Sequence, residues 1–290
     1  MKKFSILLTV IAILFTLIGC NSTASYEYDN SELYTKGDGE ISELVHSIDI
    51  NWVRGSVDVC EYDGETVKFV EEFSGTKTDE NSMYYYYNEG TLNLKFIKSG
   101  NYDWEYPKKS LKVYLPKDSE IVLLSVSTVS ANVSCKDISV NGIGATTVSG
   151  DLSFKNIDCK NGFTANSVSG NIDVSLYGKQ EQVLLNSVSG KISIIADNID
   201  NFETISVSGN IQIQLNTACK NFEIATVSGN SVVTLKYQPS LKLIYSTTSG
   251  NFTCNKDIYT NEGSKYTFGG GENTAKVDTT SGDLKIQIEV

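Results

Sequence analysis

The chain has 290 residues, 40% apolar and 20% charged, with 3 prolines. This composition allows one or two domains and excludes a collagen, a disordered chain and a polytopic membrane protein. A formal net charge of −11 repels phosphate backbones, so nucleic acid is not expected as a partner, and a single histidine, His46, with a single arginine, Arg54, leaves few ways to build a His-based catalytic or metal site.

Lys2 and Lys3 precede an apolar run from Phe4 to Ile18. That run is short of the ~20 residues a bilayer core needs, so residues 1–19 read as a secretory leader. Leu17-Ile18-Gly19-Cys20 is similar to the bacterial lipobox, whose cysteine is lipidated and becomes the new N-terminus. The expected location is therefore the extracytoplasmic face of a bacterial membrane, with the membrane as a partner through acyl chains on Cys20. Loss of residues 1–19 removes two lysines and no acid, which takes the net charge from −11 to −13. Residues 20–39 are polar and aperiodic and read as a tether.

Residues 40–128 carry strand patterns without a regular repeat and read as a β-rich N-terminal cap. Ile48 to Val59 alternates and turns at Gly55 like a degenerate repeat. Thr66–Glu72, Thr91–Ile97 and Leu111–Leu115 are further strands between Gly, Asn, Asp and Ser clusters.

From residue 129 a repeat dominates. Ser-Gly or Ser-Ala pairs begin at Ser130, Ser149, Ser169, Ser189, Ser208, Ser228, Ser249 and Ser281, with spacings of 19, 20, 20, 19, 20, 21 and 32. Each unit reads Thr/Ser-Val-Ser-Gly-Asn/Asp-Ile, followed by alternating apolar positions. One apolar column holds Leu152, Ile172, Ile192 and Ile211, and the next holds Phe154, Val174, Ile194 and Ile213. Period-two alternation means strands with one buried face. One coil of 20 residues loses ~20–40 kcal/mol of conformational entropy, against ~9–18 kcal/mol from six inward side chains, so coils must stack to fold. The predicted fold is all-β: a β-solenoid (single-chain β-helix) of about seven 19–21-residue coils over residues 129–290, ~34 Å long at the ~4.8 Å strand spacing. Gly150, Gly170, Gly190, Gly209, Gly229 and Gly250 are expected at its corners, where glycine permits φ > 0. Ala131 departs from that column and predicts an irregular first corner. The long last unit carries an insertion, Cys254 to Thr279, expected to cover part of one end.

Leu111-Lys112-Val113-Tyr114-Leu115-Pro116-Lys117, then Leu124 to Ser130, then the Val-Ser-Gly series to Leu284 resemble the family of bacterial envelope proteins known as the "putative adhesin" domain. The resemblance spans roughly residues 40–290. It implies a solenoid fold and a role in surface attachment or envelope stress, and it brings no catalytic residue and no cofactor.

Thr147, Ser167, Ser187, Ser206, Thr226 and Thr247, together with the serine column, are expected to form an outward hydroxyl strip suited to a repetitive glycan, or simply a solvated face. Cys60, Cys135, Cys159, Cys219 and Cys254 lack metal spacing and read as free, mostly buried thiols. Asp151, Asp173 and Asp283 are scattered, so no polysaccharide-active carboxylate pair is expected. The tyrosines at 84–87, with Tyr102, Trp104 and Tyr106, read as cap packing rather than a sugar platform. The reading is a non-enzymatic surface-binding module for wall glycan or an envelope protein. A sensory or structural component bound to a membrane protein is the alternative, and no metal is expected.

Overall fold

The computed structural model describes residues 24–102, 107–117, 119–256 and 259–290; the leader, Cys20, Trp104 and Tyr106 lie outside them. The chain is a β-solenoid with two long parallel faces, here called A and B. Strands such as Asn132–Thr147, Leu152–Ser167 and Ile172–Ser187 each supply the face-B segment of one coil, a bend, and the face-A segment of the next. Left-handed residues mark that bend at Asp137 (φ 50°), Asn156 (φ 56°) and Gly178 (φ 73°). Asp, Asn and Gly are the residues that tolerate this conformation.

Stacking does not follow chain order at either end. Along face A the levels run Thr91–Lys95, Ser47–Trp52, Leu123–Thr128, 142–147, 162–167, 182–187, 201–206, Asn221–Thr226, Asn273–Thr279 and Leu241–Ser246. Face B repeats this order, from Lys109–Pro116 and Gly55–Tyr62 through to Leu284–Ile288 and Phe252–Cys254. Ser47–Trp52, Gly55–Tyr62, Thr91–Lys95 and Lys109–Pro116, which the sequence places in the cap, are thus levels of the same ladder. The first coil in sequence is enclosed by two later ones. The last, 273–288, is enclosed by two earlier ones.

Antiparallel strands cover the exposed edges. Tyr84–Asn88 pairs with Thr91–Lys95, and Val67–Glu72 pairs with Lys109–Pro116. At the other end the hairpin of Tyr259–Glu262 and Lys265–Phe268 lies along Leu241–Ser246, which gives the last unit's insertion its place. Where Phe252–Cys254 ends, a side chain continues the pairing of its inner neighbour Leu284–Ile288: Ile288 N donates to Asn255 Oδ1 (2.8 Å) and Asn255 Nδ2 to Ile288 O (3.2 Å). Such covers blunt edges that would otherwise pair with another chain.

One continuous core runs through the stack, from Trp52 and Phe96 past Phe154 and Phe163 to Phe268, all buried. Inside the N-terminal end sits an ion pair, Lys109 with Glu71, both side chains fully buried. Lys109 Nζ also donates to Asn81 O (2.7 Å) and lies over the rings of Trp52 and Phe96. Tyr85 packs on Phe69 and Tyr86 on Tyr34, so these tyrosines serve the cap.

Candidate functional site

The hydroxyl strip is not where alternation put it. Thr147, Ser167, Ser187, Ser206 and Thr226 point inward and are buried; of the six, Thr247 is exposed. The reason is the corner itself. Residues 148–150 bend, and period two holds only in extended chain, so the inward phase restarts on the far side. Where the column carries threonine, its hydroxyl closes the bend. Gly150 N donates to Thr147 Oγ1 (3.0 Å), Gly229 N to Thr226 Oγ1 (3.1 Å) and Gly250 N to Thr247 Oγ1 (2.7 Å).

Serine and Asn/Asp columns do face out, and they are bonded within the stack. Each serine donates its hydroxyl to a carbonyl one level away: Ser130 to Val53, Ser149 to Val129, Ser169 to Val148 and Ser189 to Val168, at 3.1–3.3 Å. The first corner keeps this pattern despite Ala131. Asn132 Oδ1 accepts Asp151 N (3.0 Å), Asp151 Oδ1 accepts Asn171 N (2.8 Å), and Asn171 Oδ1 accepts Lys191 N (3.0 Å). Lys191 has no acceptor to offer and breaks the series. The Val-Ser-Gly-Asn signature therefore describes how coils join, and its polar atoms are largely engaged within the chain.

Corner glycines answer to crowding. A Cβ on Gly170 would lie 1.9 Å from Gly150 O, and one on Gly190 1.9 Å from Gly170 O. The same contact repeats at Gly150, Gly209, Gly229 and Gly250, at 1.9–2.1 Å from the carbonyl of the neighbouring level. None of the six has positive φ, so close approach of backbones, and not left-handed geometry, demands glycine.

Sequence reasoning missed a groove on face A. It has a volume of about 530 Å³ and spans five levels. Hydrogen-bonded register aligns Gln182, Asn201, Asn221, Thr274 and Lys242 in one outward row, and Glu203, Glu223, Lys276 and Ile244 in the next. Phe202 and Phe222 stack beneath them, centroids 5.5 Å apart. The amide row is held rigid: Asn221 Nδ2 donates to Asn201 Oδ1 (2.8 Å) and Thr274 Oγ1 to Asn221 Oδ1 (2.9 Å). Lys276 Nζ stands 3.9 Å from Glu223 and 2.6 Å from Asp278. Carboxylates gather toward one end of the groove and ammonium groups toward the other. No signal in the repeat marked these residues, because they fall at positions where the units differ.

The five cysteines are free. Burial pushes the Cys159 thiol up to about 11 and that of Cys219 to about 12, which suppresses thiolate chemistry. Asp173 pairs with Lys155 (2.5 Å), and Asp151 and Asp283 belong to the corner series. Among the described residues no cluster of His, Cys, Asp and Glu is placed to hold a metal, and no helix is long and apolar enough to cross a membrane.

Stacked parallel coils of some 20 residues, with polar ladders at each corner, define a β-solenoid. Within that class the chain belongs to the Toastrack DUF4097 family, whose profile matches residues 45–287. Among solved structures, a Bacteroides fragilis protein described as a "putative adhesin" shares 15% identity, with a TM-score of 0.48 over 88% of this chain and 96% of that one. A Parabacteroides merdae protein described in the same words shares 11% identity, with a TM-score of 0.32 over 91% and 99% of the two chains. A Clostridium sporogenes protein described as a "putative cell adhesion protein" shares 13% identity, with a TM-score of 0.21 over 88% and 100%. A search of curated proteins returns no match.

Proposed function

We propose that this protein is a non-catalytic binding module, held at the outer face of a bacterial membrane through Cys20, whose face-A groove takes a polymeric glycan of the cell wall. One observation carries the reading. The groove presents an amide row, fixed by hydrogen bonds through Asn201, Asn221 and Thr274, beside a row of Glu203, Glu223, Lys276 and Ile244, all at the fixed spacing of the coils, a periodic surface that suits a periodic ligand. The bonded amide row loses little rotamer freedom on binding, and amides, carboxylates and ammonium groups are good partners for sugar hydroxyl and acetamido groups. The lipid anchor would keep this face within a tether's reach of the wall.

The test is co-sedimentation of residues 21–290 with purified wall sacculi over a salt series. We expect saturable binding that survives high salt and falls at least about 10-fold in Asn221→Ala/Glu223→Ala, the loss of ~1.4 kcal/mol in binding. Absence of binding at every salt concentration would rule out the wall ligand. Cys20→Ser is expected to move the chain out of the membrane fraction; unchanged fractionation would sink the anchor.

A second reading rests on a different surface. Leu44, Val122 and Leu123 are 59%, 50% and 44% exposed, and backbone bonds from Val122 N and Leu123 N to His46 O bring them together. An apolar cluster of this kind fits an envelope protein as partner.

A further inference from the structure

The last stretch of the chain is not the last level of the stack. Asn273–Thr279 is bonded to Asn221–Thr226 on one side and to Leu241–Ser246 on the other. Leu284–Ile288 is likewise held between Ser231–Leu235 and Phe252–Cys254. The chain reaches this slot by a hook. Lys265–Phe268 runs along the outer edge of Leu241–Ser246, residues 269–272 cross over the start of that strand, and Asn273 begins on its inner edge. Three consecutive glycines make the crossing. Gly269 (φ 54°) and Gly271 (φ 66°) are left-handed, and a Cβ on Gly269 would lie 2.9 Å from Pro239 O. Asn273 N and Asn273 Nδ2 both donate to Ser240 O, at 3.0 and 3.1 Å.

The core beside this coil is incompletely filled. Ala275 stands in the inward column between Phe222 and Leu243, where the levels nearer the middle carry Phe163, Val183 and Phe202. A void of about 20 Å³ lies there, lined by these neighbours together with Val277, Leu284 and Ile286. The same coil contributes Thr274 and Lys276 to the groove, and Lys276 is the cation facing Glu223.

We propose that residues 273–290 are a closing coil, which leaves and re-enters its slot as a unit while the central levels stay folded, and that its seating assembles the groove. The second half of this proposal rests on the groove being the binding site. Opening removes two of the groove's walls together, because Leu241–Ser246 loses its inner neighbour at the same moment. Any ligand spanning Asn221, Thr274 and Lys242 binds the seated form alone and holds the coil in place by mass action.

Hydrogen exchange of the full chain, read by mass spectrometry without ligand, tests the first half. Amides of 273–279, 284–288 and 241–246 are expected to exchange together, about 100-fold faster than those of 182–187 and 192–196. Ala275→Val, which fills the void, is expected to slow the first group about 10-fold and leave the second unchanged; if that variant does not fold, the parent pattern alone decides. Exchange of 273–288 at the rate of the central levels would overturn the closing coil. Added sacculi separate the two readings: slowed exchange confined to 241–288 supports both, and an unchanged fast group keeps the closing coil and discards the groove as the wall site.

Discussion

Gly170→Ala is expected to destabilise the protein by on the order of 4 kcal/mol, or to prevent folding. The added Cβ would lie 1.9 Å from Gly150 O and 2.6 Å from its carbonyl carbon. Both are backbone atoms of a level bonded to its neighbours, so neither side can give without breaking the ladder. Gly190→Ala should behave alike for the same contact with Gly170 O. Gly144→Ala is the control. It lies mid-strand on face A with nothing within 4 Å of its Cβ position and no positive φ, and glycine in a strand costs about 0.5–1 kcal/mol relative to alanine. A gain of that size is expected. Urea unfolding of the three variants decides the matter, and similar stabilities for Gly170→Ala and Gly144→Ala would refute the crowding argument.

The second large effect concerns the buried pair in the cap. Glu71→Ala should cost about 3–5 kcal/mol, because it strands the Lys109 ammonium between Trp52 and Phe96. Met83 N also loses its acceptor, Glu71 Oε1, at 3.0 Å. Removing both charges, as in Lys109→Met/Glu71→Leu, should recover at least half of that loss, since no fully buried charge is left unpaired: Lys77, which also pairs with Glu71 (3.3 Å), is 41% exposed and keeps its solvation. The parent should also differ from this double variant in its response to pH. Burial lowers Lys109 to about 8 in the folded protein, against the opposing pull of Glu71, from 10.5 in the unfolded chain. Between those values the unfolded state binds more protons, so stability rises with pH. The parent should therefore gain on the double variant from pH 8 to pH 10, and a constant difference in urea unfolding across that range would contradict the assignment.

Much of the architecture could be read from the chain, because a solenoid writes its structure as a period. The Ser130-to-Ser228 spacing gave the coil length, and the columns through Ile172 and Val174 gave the inward face. Bonding of the serine hydroxyls from level to level also follows from that column. Alternation failed at Thr147 and Thr226, where the bend of three residues between two strands changes which side faces in. Glycine's role was misjudged at Gly170 for a related reason: a sequence shows that a corner needs glycine, but the demand comes from a carbonyl 20 residues away. The groove was out of reach because Lys276 meets Glu223 through a stacking order that no spacing records. A spacing of 32 announces an insertion before Ser281, yet says nothing of the chain doubling back to fill an inner level.

That doubling back limits how such a protein can lengthen. A coil added after residue 290 would have to follow a strand already enclosed on both sides, and one added ahead of residue 47 meets the same obstacle. Both ends act as terminators. Duplication is left only to the middle, where Val-Ser-Gly units from residue 148 to residue 229 follow one another at 19 or 20 residues and each corner accepts the next through the same serine and glycine contacts. Chains of this design should therefore vary in length by whole coils gained or lost between fixed ends.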